Sequence, residues 1–305
     1  MSLSLSLSLS LLSSHPISGR HVGSAATHVF PISPRVFRGS MSVWPARVSL
    51  DPHTLRFRVS AAARVGHLLH DAGATAAVLV GAYGLVLSFD NLSQRKLIQQ
   101  SLSRKLVHIL SGLLFMVSWP IFSTSTEARY FAALVPLVNC LRLVINGLSL
   151  VKDDGLIKSV TREGNPKELL RGPLYYVLML ILSALVFWRD SPVGVISLSM
   201  MCGGDGVADI IGRRFGSMKI FYNEKKSWAG SISMFVFGFL VSIGMLYFYS
   251  ILGYYQLDWI ETLQRVALVS LVATVIESLP ITEVVDDNIS VPLASMVAAY
   301  LSFGY

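Results

Sequence analysis

Two aspartates four positions apart, Asp205 and Asp209, stand among glycines in the segment Gly203-Gly204-Asp205-Gly206-Val207-Ala208-Asp209-Ile210-Ile211-Gly212-Arg213-Arg214-Phe215-Gly216. On a helix that spacing puts both carboxylates on one face. They close an apolar run, where an ionised carboxylate is costly and marks a functional position. Two carboxylates on one face suit a hard cation such as Mg2+, which takes one or two of them together with substrate phosphates. Gly204 and Gly206 would let a phosphate approach the backbone closely. Arg213 and Arg214 offer guanidinium donors to its oxygens. A helix end whose acids simply pair with these arginines would leave the clustered glycines without a reason.

The next polar segment is Asn223-Glu224-Lys225-Lys226-Ser227-Trp228-Ala229-Gly230-Ser231, which leads into an apolar run. Lys225, Lys226 and Ser227 ahead of a helix make an anion-binding entry, because a helix N-terminus presents free N–H groups. Close behind the glycine–aspartate segment, they read as the other half of a phosphate site. Arg104-Lys105-Leu106-Val107-His108 opens another run, with Arg104 and His108 on one face. His108 is the one histidine after residue 70. Asn139, Arg142 and Asn146 make a polar stripe in apolar surroundings. Glu277 precedes a turn holding Asp286, Asp287 and Asn288, acids that could complete a metal or substrate-hydroxyl site. The polar connection 151–172 would be a lid or a solvated loop. No Gly-x-x-x-x-Gly-Lys-Ser/Thr loop, protein-kinase motif set or Gly-x-Ser-x-Gly elbow is present.

The elements that must position these groups are set by composition. Hydrophobic residues make up 53% of the 305-residue chain and charged residues 14%, against about 25% charged in a soluble domain. Eight apolar runs lie near 72–89, 106–122, 130–150, 173–188, 192–211, 230–253, 266–282 and 289–305. The fold class expected is an all-α, polytopic integral membrane helix bundle of about seven to eight transmembrane helices. Pro280 and Pro292 interrupt the last two runs. The connections after runs one, three and five carry four, five and five basic residues, and those after runs two, four and six carry one each. The positive-inside rule places the first set in the compartment from which the chain inserts, the stroma of a plastid. The residues singled out above lie almost all on that side.

Residues 1–70 hold fourteen serines, seven arginines and a single acid, Asp51, so most of the formal charge of +7 belongs to this segment. That composition is expected of a chloroplast transit peptide, here residues 1–62, ahead of a membrane domain at 63–305. With the charge accounted for there, no nucleic-acid partner is implied. Cys140 and Cys202 have neither metal-ligand spacing nor a disulfide framework and read as small apolar packing residues. The sequence does not give an oligomeric state.

Arg104-Lys-Leu-Val-His108, Gly204-Asp-Gly-Val-Ala-Asp-Ile-Ile-Gly-Arg-Arg-Phe-Gly216, Lys226-Ser-Trp-Ala-Gly-Ser231 and Glu277-Ser-Leu-Pro with Asp286-Asp-Asn288 together resemble the polyprenol kinase family. Leu170-Arg-Gly-Pro-Leu-Tyr-Tyr176 is similar to its plant phytol kinase branch. The resemblance covers about residues 70–305. It implies a kinase that uses CTP, or UTP, to phosphorylate a prenyl alcohol in a chloroplast membrane, the envelope by preference, feeding phytol recycling toward tocopherol. The residue reading then assigns Asp205 and Asp209 to Mg2+. Gly204, Gly206, Arg213, Arg214, Lys225, Lys226 and Ser227 go to nucleotide phosphates. His108, Asp286 or a carboxylate near the metal remains as base. Three other classes compete. A CDP-alcohol phosphotransferase needs Ala-Arg and later aspartates, but here Asp209 follows Ala208. A CDP-lipid cytidylyltransferase shares the nucleotide. A transporter would put its polar groups near the bilayer midplane.

Overall fold

The computed structural model describes residues 52–151, 153–161, 164–280 and 285–304, with side chains from residue 63 onward except at 154, 158 and 159. The expected transit peptide therefore lies largely outside the described residues. The first helix, α1 (Pro52–Gln94), already runs through the expected boundary at residue 62. After it come α2 (Gln100–Ser118), α3 (Ala128–Gly147), a short α4 (Asp154–Val160), α5 (Gly172–Val186) and α6 (Pro192–Ser199). A π-helical turn, Met200–Asp205, joins α6 directly to α7 (Gly206–Phe215). A two-stranded antiparallel hairpin, β1 (Lys219–Ile220) and β2 (Asn223–Ser227), leads into α8 (Trp228–Ile251). The last helices are α9 (Trp259–Ser278) and α10 (Asp287–Phe303).

Each apolar run of the sequence overlaps one of these helical segments, and the all-α membrane bundle stands. Six segments are long and apolar enough to span a bilayer: 63–94, 128–147, 166–186, 192–215, 228–251 and 259–278. Two runs fall short of that standard. Arg104, Lys105 and His108 make the start of α2 polar, and α10 has 17 residues. Pro292 sits inside α10, whereas α9 ends before Pro280.

Helices pack here without a hydrophobic drive between them, so small residues govern close approach. Gly204 in the π turn meets Gly238 of α8: a Cβ on Gly238 would lie 3.6 Å from the Gly204 Cα. A Cβ on Gly203 would lie 2.8 Å from a Val241 methyl, and one on Gly204 2.8 Å from Met234 Sδ. At one end of the bundle, Asp71 of α1 accepts from Ser123 N and Oγ at 2.6 and 2.7 Å. There too Arg189 donates to the carbonyls of Trp119 and Phe122 at 3.0 and 2.8 Å, and Thr75 of α1 donates to Phe131 O of α3 at 3.0 Å. These contacts tie the connections after α2 and α5 together. The opposite end gathers the start of α2, the end of α3, the start of α5, the end of α7, the hairpin, and the α9–α10 turn.

Candidate active site

The hairpin brings two distant segments together. Asn223 Nδ2 donates to Ser278 O at 3.0 Å, and the Tyr222 and Ser278 hydroxyls lie 2.7 Å apart, which pins β2 to the end of α9. Lys226 thereby donates to Glu277 and, at 2.9 Å, to Asp287 Oδ2. Ser231 Oγ adds a 3.4 Å bond to Glu277. Ser227 caps α8 by accepting from Gly230 N at 3.2 Å, so its hydroxyl is spent on the helix start. Asp286 caps α10 in the same way through Asn288 N, and accepts from Asn288 Nδ2 at 2.8 Å.

Asp205, at the end of the π turn, joins this group. One oxygen each of Asp205, Glu277 and Asp287 lies within 4.8 Å of the others. Asp205 and Glu277 are only 5% and 4% exposed. Burial works against the charge of Lys226, but Glu277, Asp287 and Asp205 outweigh it and hold the ammonium above the usual lysine range. Lys226 thus serves the three carboxylates with Lys105 beside Asp205, and Asp287 Oδ1 is buried with no hydrogen-bond partner among the described residues. An all-oxygen donor set with surplus negative charge and an unused lone pair fits a hard divalent cation.

Lys105 of α2 lies beside this group. Its Nζ is 3.7 Å from Asp205 Oδ2 and 3.4 Å from Asp209 Oδ2, and Arg213 Nε donates to Asp209 Oδ1 at 2.9 Å. The two aspartates therefore face one lysine, as their spacing requires. Asp209, however, sits in the cationic half of the network, outside the carboxylate triad. Of the two carboxylates expected to hold a metal, Asp205 lies with Glu277 and Asp287, and Asp209 lies beside Lys105 and Arg213. The acids after Glu277 were legible as candidates, but Lys105 was read as part of a basic loop. Its signal was its place three residues before His108, on the same helical face.

His108 lies beside Tyr176 with ring centroids 4.1 Å apart, and its Nε2 is 3.4 Å from Met201 O. The Tyr176 hydroxyl donates to His108 O at 2.8 Å and sits 3.1 Å from Ser111 Oγ. This buried hydroxyl pair was missed in the sequence, where Tyr176 falls in an apolar run and Ser111 next to a glycine.

One cavity of about 1110 Å³ takes in most of these groups. Asp205, Asp209, His108, Asp286, Arg213, Lys225, Lys226 and Ser227 all line it, as do Lys105, Glu277 and Asp287. Gly204, Gly206 and Arg214 do not. The two glycines face neighbouring helices, where a Cβ on Gly206 would strike Ile109. Both pack closely against neighbouring helices, apart from the cavity in which phosphate contact was expected. Arg214 is exposed and lies over the Phe215 ring at 5.6 Å. From the 151–172 connection, Leu156, Val160, Asn165 and Lys167 also line the cavity. Arg142, Asn146 and Asp153 fasten that connection: Arg142 donates to Asp153, and Asp153 N donates to Asn146 Oδ1 at 2.9 Å.

Away from the carboxylates the same cavity is lined by Val78, Leu79, Val86, Leu114, Phe115 and Leu180. Spanning helices around a cavity that is ionic at one end and apolar at the other define an integral membrane enzyme for an amphiphilic substrate. Comparison with known proteins gives the family. The chain is 71% identical over 259 residues to "Probable phytol kinase 1, chloroplastic" of Glycine max, covering 85% of each chain. It is 70% identical over 250 residues to "Phytol kinase 1, chloroplastic" of Arabidopsis thaliana, covering 82% of each. A more distant relative, "Probable phytol kinase 2, chloroplastic" of Oryza sativa subsp. japonica, is 40% identical over 236 residues, 77% of each. The chain belongs to the phytol kinase family. No protein-family model matches it, and no solved structure does.

Proposed function

We propose that the protein phosphorylates phytol, or a closely related prenyl alcohol, with CTP or UTP as donor, in a chloroplast membrane and by preference the envelope. The observation that carries this reading is the single cavity that joins an apolar arm to a cluster of carboxylates and ammonium groups. At about 1110 Å³ it exceeds the roughly 300–1,000 Å³ typical of a site for one drug-sized ligand. That leaves room for a lipid alcohol and a nucleotide tail together. Names of relatives that align over most of the chain support the acceptor. The place of the product in tocopherol supply belongs to the same reading.

In the reaction the alcohol oxygen bonds to the γ-phosphorus, and the bond from that phosphorus to the β-phosphate oxygen breaks. The products are a prenyl monophosphate and a nucleoside diphosphate. Catalysis of this kind rests on positioning and charge neutralisation. Asp205, Glu277 and Asp287 would hold Mg2+, which supplies charge neutralisation for the phosphates. Lys226, Lys105 and Arg213 lie within reach of the same space and would offer donors to phosphate oxygens. Ser111 and Tyr176 sit where the ionic end meets the apolar arm, so they would receive the substrate hydroxyl. Its proton goes to a group lining the ionic end, among which are His108 and Asp286.

The test is an assay on membranes carrying the protein, with γ-labelled CTP, UTP or ATP, Mg2+, and phytol, farnesol or geranylgeraniol. Label in a prenyl monophosphate is the expected result. Pyrophosphate release with a CDP-lipid product would instead make the protein a cytidylyltransferase.

A further inference from the structure

Among the helices that line the cavity, α1, α2, α3 and α5 grade from polar to apolar in the same direction. Along α1 the lining residues run from Asp90 through Val86 and Ala82 to Val78. Along α2 they run from Lys105 through His108 and Ser111 to Phe115, and along α3 from Arg142 through Asn139 to Val135. At α5 they run from Arg171, just before the helix, through Tyr176 to Leu180. The apolar arm thus runs between four helices whose lining turns apolar away from the carboxylates. The stripe from Val86 to Val78 alone measures ~12 Å at 1.5 Å of rise per residue.

The far end of this arm is closed. Val78, Phe115, Val135 and Leu180 lie at it, one from each helix, and all four are buried. Behind them α1 is fixed to α3 by the bond from Thr75 to Phe131 O, and Ala74, Ala132 and Trp119 are buried as well. Nearer the ionic end, Tyr83 of α1 and Val138 of α3 line the cavity yet remain 54% and 49% exposed. The most exposed apolar lining of the arm is therefore at the side between α1 and α3, where the Arg142 guanidinium stands over the Tyr83 ring at 6.0 Å, and its end is blind.

Resting on the kinase reading above, we infer that this blind arm receives one isoprenoid tail from the bilayer through the α1–α3 side. Val78, Phe115, Val135 and Leu180 together set the greatest length of alcohol the enzyme accepts. Alcohols that fill the arm gain with each added unit, since every buried methylene contributes about fourfold in affinity. An alcohol longer than the arm must bend its excess back out through that side, and that gain stops or reverses. A two-chain lipid does not fit the arm.

The experiment uses the full chain in membranes and compares kcat/KM for geraniol, farnesol, geranylgeraniol, phytol and a long polyprenol. The wild type should climb to the twenty-carbon alcohols and fall at least tenfold for the polyprenol. Phe115→Ala, which removes the ring at the blind end, should raise the polyprenol-to-phytol ratio about tenfold. Val135→Ala, a milder change, should move the ratio the same way if Phe115→Ala fails to accumulate. Ala82→Phe narrows the arm midway and should favour farnesol over phytol. A wild type that turns over the polyprenol as well as phytol would overturn the gauge, as would Phe115→Ala leaving the ratio unmoved. A second readout needs no turnover: a phytol analogue with a photoreactive group at the tail end should label peptides of α2, α3 or α5 at the blind end. Labelling there without any phosphorylated alcohol would keep the arm and sink the kinase reading. Labelling confined to exposed faces would sink the arm.

Discussion

Replacing Lys226 by methionine tests whether the carboxylate triad is built for a cation. Methionine nearly keeps the length of the side chain and removes its charge. The ammonium sits 2.9 Å from Asp287 Oδ2, which at an effective dielectric of ~20 is worth about 6 kcal/mol of attraction. Each carboxylate pair among Asp205, Glu277 and Asp287, at 4.8 Å or less, repels by about 3.5 kcal/mol or more on the same scale. Desolvation offsets much of this, and breaking a buried pair from one side costs about 3–5 kcal/mol in practice. In detergent with a chelator, Lys226→Met should therefore unfold on the order of 10 °C below wild type. Lys226→Arg, which keeps the charge, should stay near wild type. A divalent ion that binds the triad restores the missing charge, and ligand binding raises stability by mass action. Titrating Mg2+ should thus raise the Tm of Lys226→Met more than that of wild type, while its turnover stays low. Equal stability without metal, or a Mg2+ response no larger than wild type's, would refute the reasoning.

Asp205→Asn should abolish turnover while the protein still inserts in the membrane; retained turnover would remove Asp205 from the metal set. Gly206→Ala drives a methyl into Ile109 and should cost about 1–3 kcal/mol of stability, read as a lower Tm, with the nucleotide KM unchanged. A raised KM at unchanged Tm would restore a phosphate role to that glycine. Arg214→Ala, at an exposed position outside the cavity, should change stability by no more than about 0.5 kcal/mol and leave the nucleotide KM unchanged. Asp153 is held below the usual carboxylate range by its bond to Arg142. Its contribution is thus present above the ordinary aspartate value and lost as pH falls through the lowered one. Both side chains are 37% exposed, so the pair contributes at most about 1 kcal/mol. Asp153→Asn should speed proteolysis within 151–172 and leave the global Tm within a few degrees.

Much of the fold was legible because lipid imposes one rule, that spanning segments be apolar helices, and six of the eight runs meet it in full. Asp205, Glu277 and the acids at 286–287 stood out for a related reason, since carboxylates in apolar runs or beside them are conspicuous. What pattern could not give was which of them meet. Asp209 looks equivalent to Asp205 by spacing, yet the π turn ends at Asp205, and Lys105 and Arg213 claim Asp209. The hairpin that carries Lys226 to Glu277 was also hidden, because Asn223–Ser227 is polar and lacks the alternation of a half-buried strand. Gly204 and Gly206 carry two readings that composition does not separate: glycines near aspartates suggest phosphate, and close helix packing needs the same residue.

The shared polarity gradient of α1, α2, α3 and α5 also settles how an alcohol must lie. With its hydroxyl toward Ser111 and Tyr176, the oxygen finds partners and the tail meets only apolar side chains. Reversed, the hydroxyl would be buried among Val78, Phe115 and Leu180 unpaired, at about 1–3 kcal/mol. Methylenes would then stand among Lys105, Lys226 and the carboxylates and leave those groups incompletely paired, at a comparable cost for each. The sum disfavours the reversed pose by a factor of a hundred or more, since ~1.4 kcal/mol is tenfold. On the proposed kinase reading, the cavity would present the reacting oxygen to the ionic end before any nucleotide binds. That is the kind of positioning on which phosphoryl transfer depends.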